Sequence, residues 1–249
     1  IYSQYTLIFK RKFRMKKMMM WRHSNHFKYI SLSPHVTKNA QKHLDTKFLN
    51  FHTIYLPIIF KKSVPNPKNK YIKFAVFGYG DSSQMNKMLK LLSKRKISKP
   101  YEIRIISMDI RGTKGFSNVR SIGTGKVLTR QEMEVATKDI DIFINLYKKD
   151  FHSLGCSLSI FEALSHQKPV LHLSNPGYNY FNKPNKPIGY KTETLTEFVD
   201  KMCDMIENYR DYKKELSFFR KNITEYQQQY SIDNPNNLLK LKKSLKFEL

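Results

Sequence analysis

The chain has 249 residues, 40% hydrophobic and 13% aromatic, with 9 Gly and 10 Pro; this excludes a wholly disordered, collagen-like or Pro-rich chain and suffices for one large domain or two small ones. Its 45 Lys and Arg against 20 Asp and Glu give a net charge of +25, and the excess lies at the front: residues 1–100 hold 22 basic residues and only two acids, Asp45 and Asp81. A basic front on a nearly balanced back predicts attraction to a polyanion, be it anionic lipid, nucleic acid or a phosphorylated substrate.

The chain starts at Ile1, apolar first and basic second, the reverse of a signal peptide, and its true beginning is expected upstream. Residues 1–30 interleave apolar side chains with the run Lys10 to Arg22, which includes Met18, Met19, Met20 and Trp21. That mixture suits either an interfacial helix on anionic lipid or the solvated basic face of an ordinary helix. Phe27 to Ser33 reads as a short strand, Pro34 to about Leu44 as a helix capped by Ser33, and Phe51 to Pro57 as a second strand. The longest apolar stretch, Phe51 to Phe60, falls far short of the ~20 residues of a membrane span. Lys61 to Lys70, with Pro65 and Pro67, reads as a linker, dividing the chain into domains 1–65 and 66–249.

Beyond the linker, strand and helix signals alternate. Ile72 to Phe77 is a buried strand stopped by Gly78-Tyr79-Gly80; Asp81 or Ser82 then caps a helix with Met85, Met88, Leu89 and Leu92 at helical spacing. Strands are predicted at Glu102 to Met108, Val119 to Ile122, Asp141 to Leu146 and Pro169 to Leu173. Between them lie a helix opened by the capping-box spacing Thr129 and Glu132, and a short helix from Ser157 or Ser159 to His166. After residue 192 the pattern is helical, split near Tyr209–Asp211 and Ser231–Pro235. This alternation predicts an α/β fold, a parallel sheet with helices on both faces. Cys156 and Cys203 make neither a disulfide framework nor a metal set, and a reducing interior is expected.

Two loops carry the chemistry. Gly78 to Ser83 joins a strand to a helix, where glycines let a phosphate approach and the helix start supplies N–H groups; it is equally readable as a plain tight turn. Asp150 to Leu171 follows the fourth strand, at the carboxyl side of the sheet where open α/β folds bind ligands. There Gly155, Ser157 and Ser159 leave room for a phosphate at a helix start, and Glu162 stands one turn in, able to accept from both hydroxyls of a ribose. His152 reads either as a sugar or phosphate contact or as polar surface; His166 and His172 read as structural. No cluster has metal-ligand spacing, so no metal is expected.

The block Ser159-Ile160-Phe161-Glu162-Ala163-Leu164 followed by Lys168-Pro169-Val170 resembles the nucleotide-sugar-binding signature of GT-B glycosyltransferases of the family 4-like, group 1 kind. Asn118 to Ile142, Ile188-Gly189-Tyr190 and residues 211–247 resemble the segments around it in the same order, and Phe27 to Pro57 looks like the end of the N-terminal lobe. The resemblance implies a Rossmann-like donor lobe with a partial N-terminal acceptor lobe. It also implies a nucleotide-diphosphate sugar as donor, no separate cofactor, and a polysaccharide or lipid-linked glycan as acceptor.

Carried over residue by residue, Glu162 would hold the ribose, Gly155, Ser157 and Ser159 would face the diphosphate, and Gly78 and Gly80 would line the cleft floor, with His152 near the donor. Many relatives carry an acid where this chain has Leu154, and the usual basic diphosphate clamp is absent unless Lys87 or Arg111 replaces it. The catalytic residues stay unassigned. A cytoplasmic location, peripheral at the inner face of the cell membrane, fits the basic front. The rival readings are a basic Rossmann-like nucleic-acid-binding module, which the lack of a recognisable RNA-binding or helix-turn-helix signature disfavours, and a non-catalytic remnant of a glycosyltransferase.

Overall fold

In the computed structural model, residues 29–31, 34–43, 51–53, 68–77, 82–107, 115–147, 158–179, 181–231, 234–236 and 239 are described. The chain divides into two compact units, one of Ile1–Pro57, His152–Cys156 and Ile232–Leu249, the other of Ile58–Phe151 and Ser157–Ser231.

In the first unit, β1 (Tyr29–Ser31) and β2 (Phe51–Thr53) pair in parallel, Tyr29 opposite Phe51, and α1 (Pro34–His43) makes the crossover. Proline opens α1, where its missing N–H costs nothing. The helix is tied to the second strand by Thr37 Oγ1 and Thr53 Oγ1, 2.8 Å apart.

The second unit holds six strands: β3 (Lys73–Phe77), β4 (Glu102–Ile106), β5 (Val119–Ile122), β6 (Ile142–Asn145), β7 (Val170–Leu173) and β8 (Gly189–Thr192). All pair in parallel, in the order β5-β4-β3-β6-β7-β8. Within the unit this is the 3-2-1-4-5-6 arrangement of Rossmann folds, reversing direction between β3 and β6. The inner strands are buried almost throughout, as strands covered by helices on both faces must be, while the edge strands β5 and β8 are only partly buried.

Alternation along the strands sorts the core into two layers. On one face Phe74, Val76, Ile103, Ile105, Ile142, Ile144, Leu171 and Leu173 join the apolar stripes of α2 (Ser82–Ser93), α6 (Leu195–Glu207) and α7 (Tyr209–Tyr230). The other face carries Phe77, Arg104, Phe143, Asn145 and His172 and meets α3 (Arg130–Thr137) and α4 (Leu158–Ser165). Three of those five are polar, and each has partners. Arg104 donates to the Ala136 carbonyl and to Asp139, both at 2.7 Å, and pairs with Glu102 at 2.8 Å. Burial works against its charge, but Asp139 and Glu102 outweigh that and raise its pKa.

Among the described residues the predicted strands and helices recur within a few residues of their expected bounds; the helix expected in residues 1–28 and most of the linker expected at 61–70 lie outside the described residues. The differences are instructive. The sixth strand, β8, and the single turn α5 (Pro176–Asn179) have no counterpart in the predicted pattern. The break expected at Tyr209–Asp211 falls at Asn208, between α6 and α7. The capping box at Thr129 is present with both bonds: Thr129 Oγ1 accepts from the Glu132 N–H at 3.3 Å and Glu132 Oε2 accepts from the Thr129 N–H at 2.8 Å.

Candidate functional site

The reversal of strand order places the carboxyl ends of β3 and β6 side by side, which in open α/β sheets opens the crevice that receives a ligand. Phe77 ends β3, and its ring stacks on Phe143 of β6 with centroids 4.4 Å apart, closing the floor. Asn145 ends β6. Its side-chain amide donates to Ser159 Oγ at 3.0 Å and to the Tyr178 hydroxyl, while its Oδ1 accepts from the Tyr147 N–H at 3.2 Å. Ser159 Oγ and Tyr178 OH are themselves 2.6 Å apart. One strand end, the first turn of α4 and the short α5 are thus clamped together by three polar side chains.

Of the residues singled out in the sequence, Ser159 and Glu162 are described; Gly78, Gly80, His152, Gly155 and Ser157 lie outside the described residues, as do Leu154 and Arg111. Ser159 is half-buried, its hydroxyl engaged by Asn145 and Tyr178, so its side chain anchors the start of α4. Glu162, one turn further along, is exposed, its side chain retaining 52% of its accessible surface. Its Oε2 lies 3.7 Å from Nε2 of His166, which is buried. Lys87 is exposed on α2.

Asn145 and Tyr178 were not among the sequence candidates. The signal for Asn145 was an amide closing an otherwise apolar strand, a residue type depleted in strands. Nothing local points to Tyr178, which reaches the cluster from 33 residues beyond Asn145. The two histidines read as structural are both buried. His172 donates from Nδ1 to the Leu173 carbonyl at 2.9 Å and accepts at Nε2 from Asn182 Nδ2 at 3.0 Å; burial brings its pKa down to about 4.

A separate cleft of about 580 Å³ lies at the opposite, amino-terminal side of the sheet, floored by Leu89, Leu92, Ile103 and Val119. Its two cations are occupied: Arg95 pairs with Asp200, and Lys99 donates to the Glu207 carbonyl. No helix among the described residues is long and apolar enough to cross a membrane.

This architecture is the Rossmann-like lobe of the GT-B glycosyltransferase fold. TarM from S. aureus superposes with a TM-score of 0.62 at 17% identity over 96% of this chain and 46% of its own. Sucrose-phosphate synthase from Thermosynechococcus elongatus gives 0.66 at 9% identity over 94% of this chain and 60% of its own. The pneumococcal O-GlcNAc transferase GtfA, solved with UDP and GlcNAc, gives 0.59 at 12% identity over 87% and 44%. The chain therefore spans about half the length of these structures. No family model matches it, and no curated protein matches it in sequence.

Proposed function

We propose that this chain binds a nucleotide-diphosphate sugar at the carboxyl ends of β3 and β6 and serves a glycosyltransferase that passes the sugar to a polysaccharide or lipid-linked glycan. The observation that carries the reading is the switch point itself. There the Asn145–Ser159–Tyr178 clamp fixes the start of α4, and Glu162 is exposed one turn along the same helix. A helix start presents N–H groups and the positive end of its dipole, which suit the diphosphate in the ground state and the charge developing on it as the sugar leaves. An exposed carboxylate one turn away suits the two hydroxyls of a ribose. The solved proteins of this fold add weight, since GtfA was captured with UDP. We further propose that the basic first hundred residues keep the protein at an anionic membrane surface on the cytoplasmic side, near a lipid-carried acceptor.

Calorimetric titration with UDP and GDP tests the donor reading. The unsubstituted chain is expected to bind one of them. Glu162→Gln, which keeps the shape and removes the charge, should lose about 1–2 kcal/mol, discounted for the exposure of the site. Equal binding by Glu162→Gln would remove the ribose role, and binding of neither nucleotide would remove the reading of this chain as a self-sufficient donor site.

A further inference from the structure

We infer that His166 is a positioning residue for Glu162, an imidazole seated under α4 whose protonated form orients the carboxylate for ribose. The inference rests on the nucleotide reading above and adds to it the group that presets its acceptor.

Thr137 couples the ring to α3. Thr137, in the last turn of α3, can give its hydroxyl proton to the Met133 carbonyl at 2.9 Å. With the proton so placed, its oxygen accepts from His166 Nδ1, 3.1 Å away; with the proton turned to Nδ1 it donates instead. In the first arrangement a neutral His166 carries its proton on Nδ1 and presents a lone pair from Nε2 toward Glu162 Oε2, at 3.7 Å. The protonated ring presents an N–H and a positive charge at the same place.

The groups described around the ring are Glu162 from its own helix, the Thr137 hydroxyl from α3 and the Phe77 ring of β3, whose centroid is 6.1 Å away. Lys168, two residues on, turns its ammonium to the Lys138 carbonyl at 3.0 Å. Glu162 is an anion that faces this imidazole. A partner that holds one carboxylate oxygen restricts an otherwise freely turning side chain and leaves the other oxygen for the sugar hydroxyls, which is preorganisation in its plainest form.

Two measurements test this on the full chain. The first follows the His166 imidazole by NMR from about pH 5 to pH 8. Replacing the exposed Glu162 by Gln should lower its titration midpoint by roughly 0.2–0.4 pH units, the size expected of an i,i+4 pair with one exposed member. An unmoved midpoint overturns the pair, whether or not any nucleotide binds. The second follows UDP affinity with pH. Affinity should rise roughly two- to fivefold as the imidazole protonates, and that rise should vanish in His166→Gln and in Thr137→Val. By reciprocity, saturating UDP should raise the His166 midpoint in the unsubstituted chain. UDP binding that depends on Glu162 but shows the same pH profile in all variants overturns the positioning role and leaves the ribose reading standing. No UDP binding by the unsubstituted chain overturns the ribose reading and, with it, this role for the pair.

Discussion

His172 shows what a buried polar residue costs and contributes. As a neutral ring it is satisfied on both nitrogens, by the Leu173 carbonyl and by Asn182. Protonation would put a charge in a fully buried place, which is why its pKa falls to about 4. The unfolded chain binds this proton near pH 6.5, so the stability from keeping the ring neutral is complete above that pH and is lost as the pH falls toward about 4. Urea denaturation should show a loss of about 2 kcal/mol from this group between about pH 7 and pH 5. His172→Gln should flatten that slope, and an unchanged slope would refute the assignment. Gly189 makes a different kind of demand. A Cβ there would lie 1.8 Å from the Val170 carbonyl oxygen, so β8 can reach β7 only with glycine at that position. Gly189→Ala should cost about 1–3 kcal/mol, measured by the shift in urea midpoint at unchanged m-value.

At the scale of single elements, the two helices of the polar face are set by their ends. α3 begins with a complete capping box, and Lys126 together with the Thr129 N–H holds the Glu132 carboxyl down at about 2. Thr129→Ala removes the side-chain acceptor and should lower global stability by about 1 kcal/mol in chemical denaturation. α4 ends in a reversal in which the Gln167 N–H reaches the Leu164 carbonyl and the Lys168 N–H the Ala163 carbonyl, both at 2.9 Å. That pattern puts Gln167 in the left-handed region at φ +53°, where glycine is the usual occupant. The reversal turns the chain into β7 and leaves His166 on the underside of α4, so the helix end also sets the geometry of the His166–Glu162 pair.

For the whole molecule the question is where the charge goes. The first hundred residues carry 22 bases and two acids, far more than the carboxylates of that segment can pair. Within the described part of the second unit several cations have carboxylate partners: Lys73 and Arg104 at Asp139, Lys126 at Glu132, and Lys186 at Glu225. Arg104 and Lys73 hold the Asp139 carboxyl well below the usual carboxylate range against the opposing effect of burial. The proposed membrane partner answers to the basic excess of the first hundred residues. Co-sedimentation with anionic vesicles should fall steeply with added salt, each Lys or Arg near the surface contributing about 1 kcal/mol, and should weaken when residues 1–22 are removed. Equal binding to neutral vesicles would contradict the electrostatic account, and tighter binding to RNA would favour a nucleic-acid partner.

The central strands β3, β4, β6 and β7 were legible in the sequence because a strand covered on both faces must be apolar along its length, and the helices between them because caps and 3.6-residue spacing are local properties. The likeness of Ser159 to Val170 to a sugar-nucleotide signature was legible for the same reason, since it is written in one short stretch. β8 was not, because Gly189 to Thr192 has neither an apolar run nor a clean alternation, and it is a strand only through its pairing with Val170 to Leu173. The Asn145–Ser159–Tyr178 clamp and the Thr137–His166–Glu162 chain were not legible either. The clamp and the Thr137–His166 contact join separate elements, up to 33 residues apart, and no local preference of a tyrosine or a histidine records which distant hydroxyl it will meet once the sheet has closed, whereas the four-residue spacing of Glu162 and His166 is local.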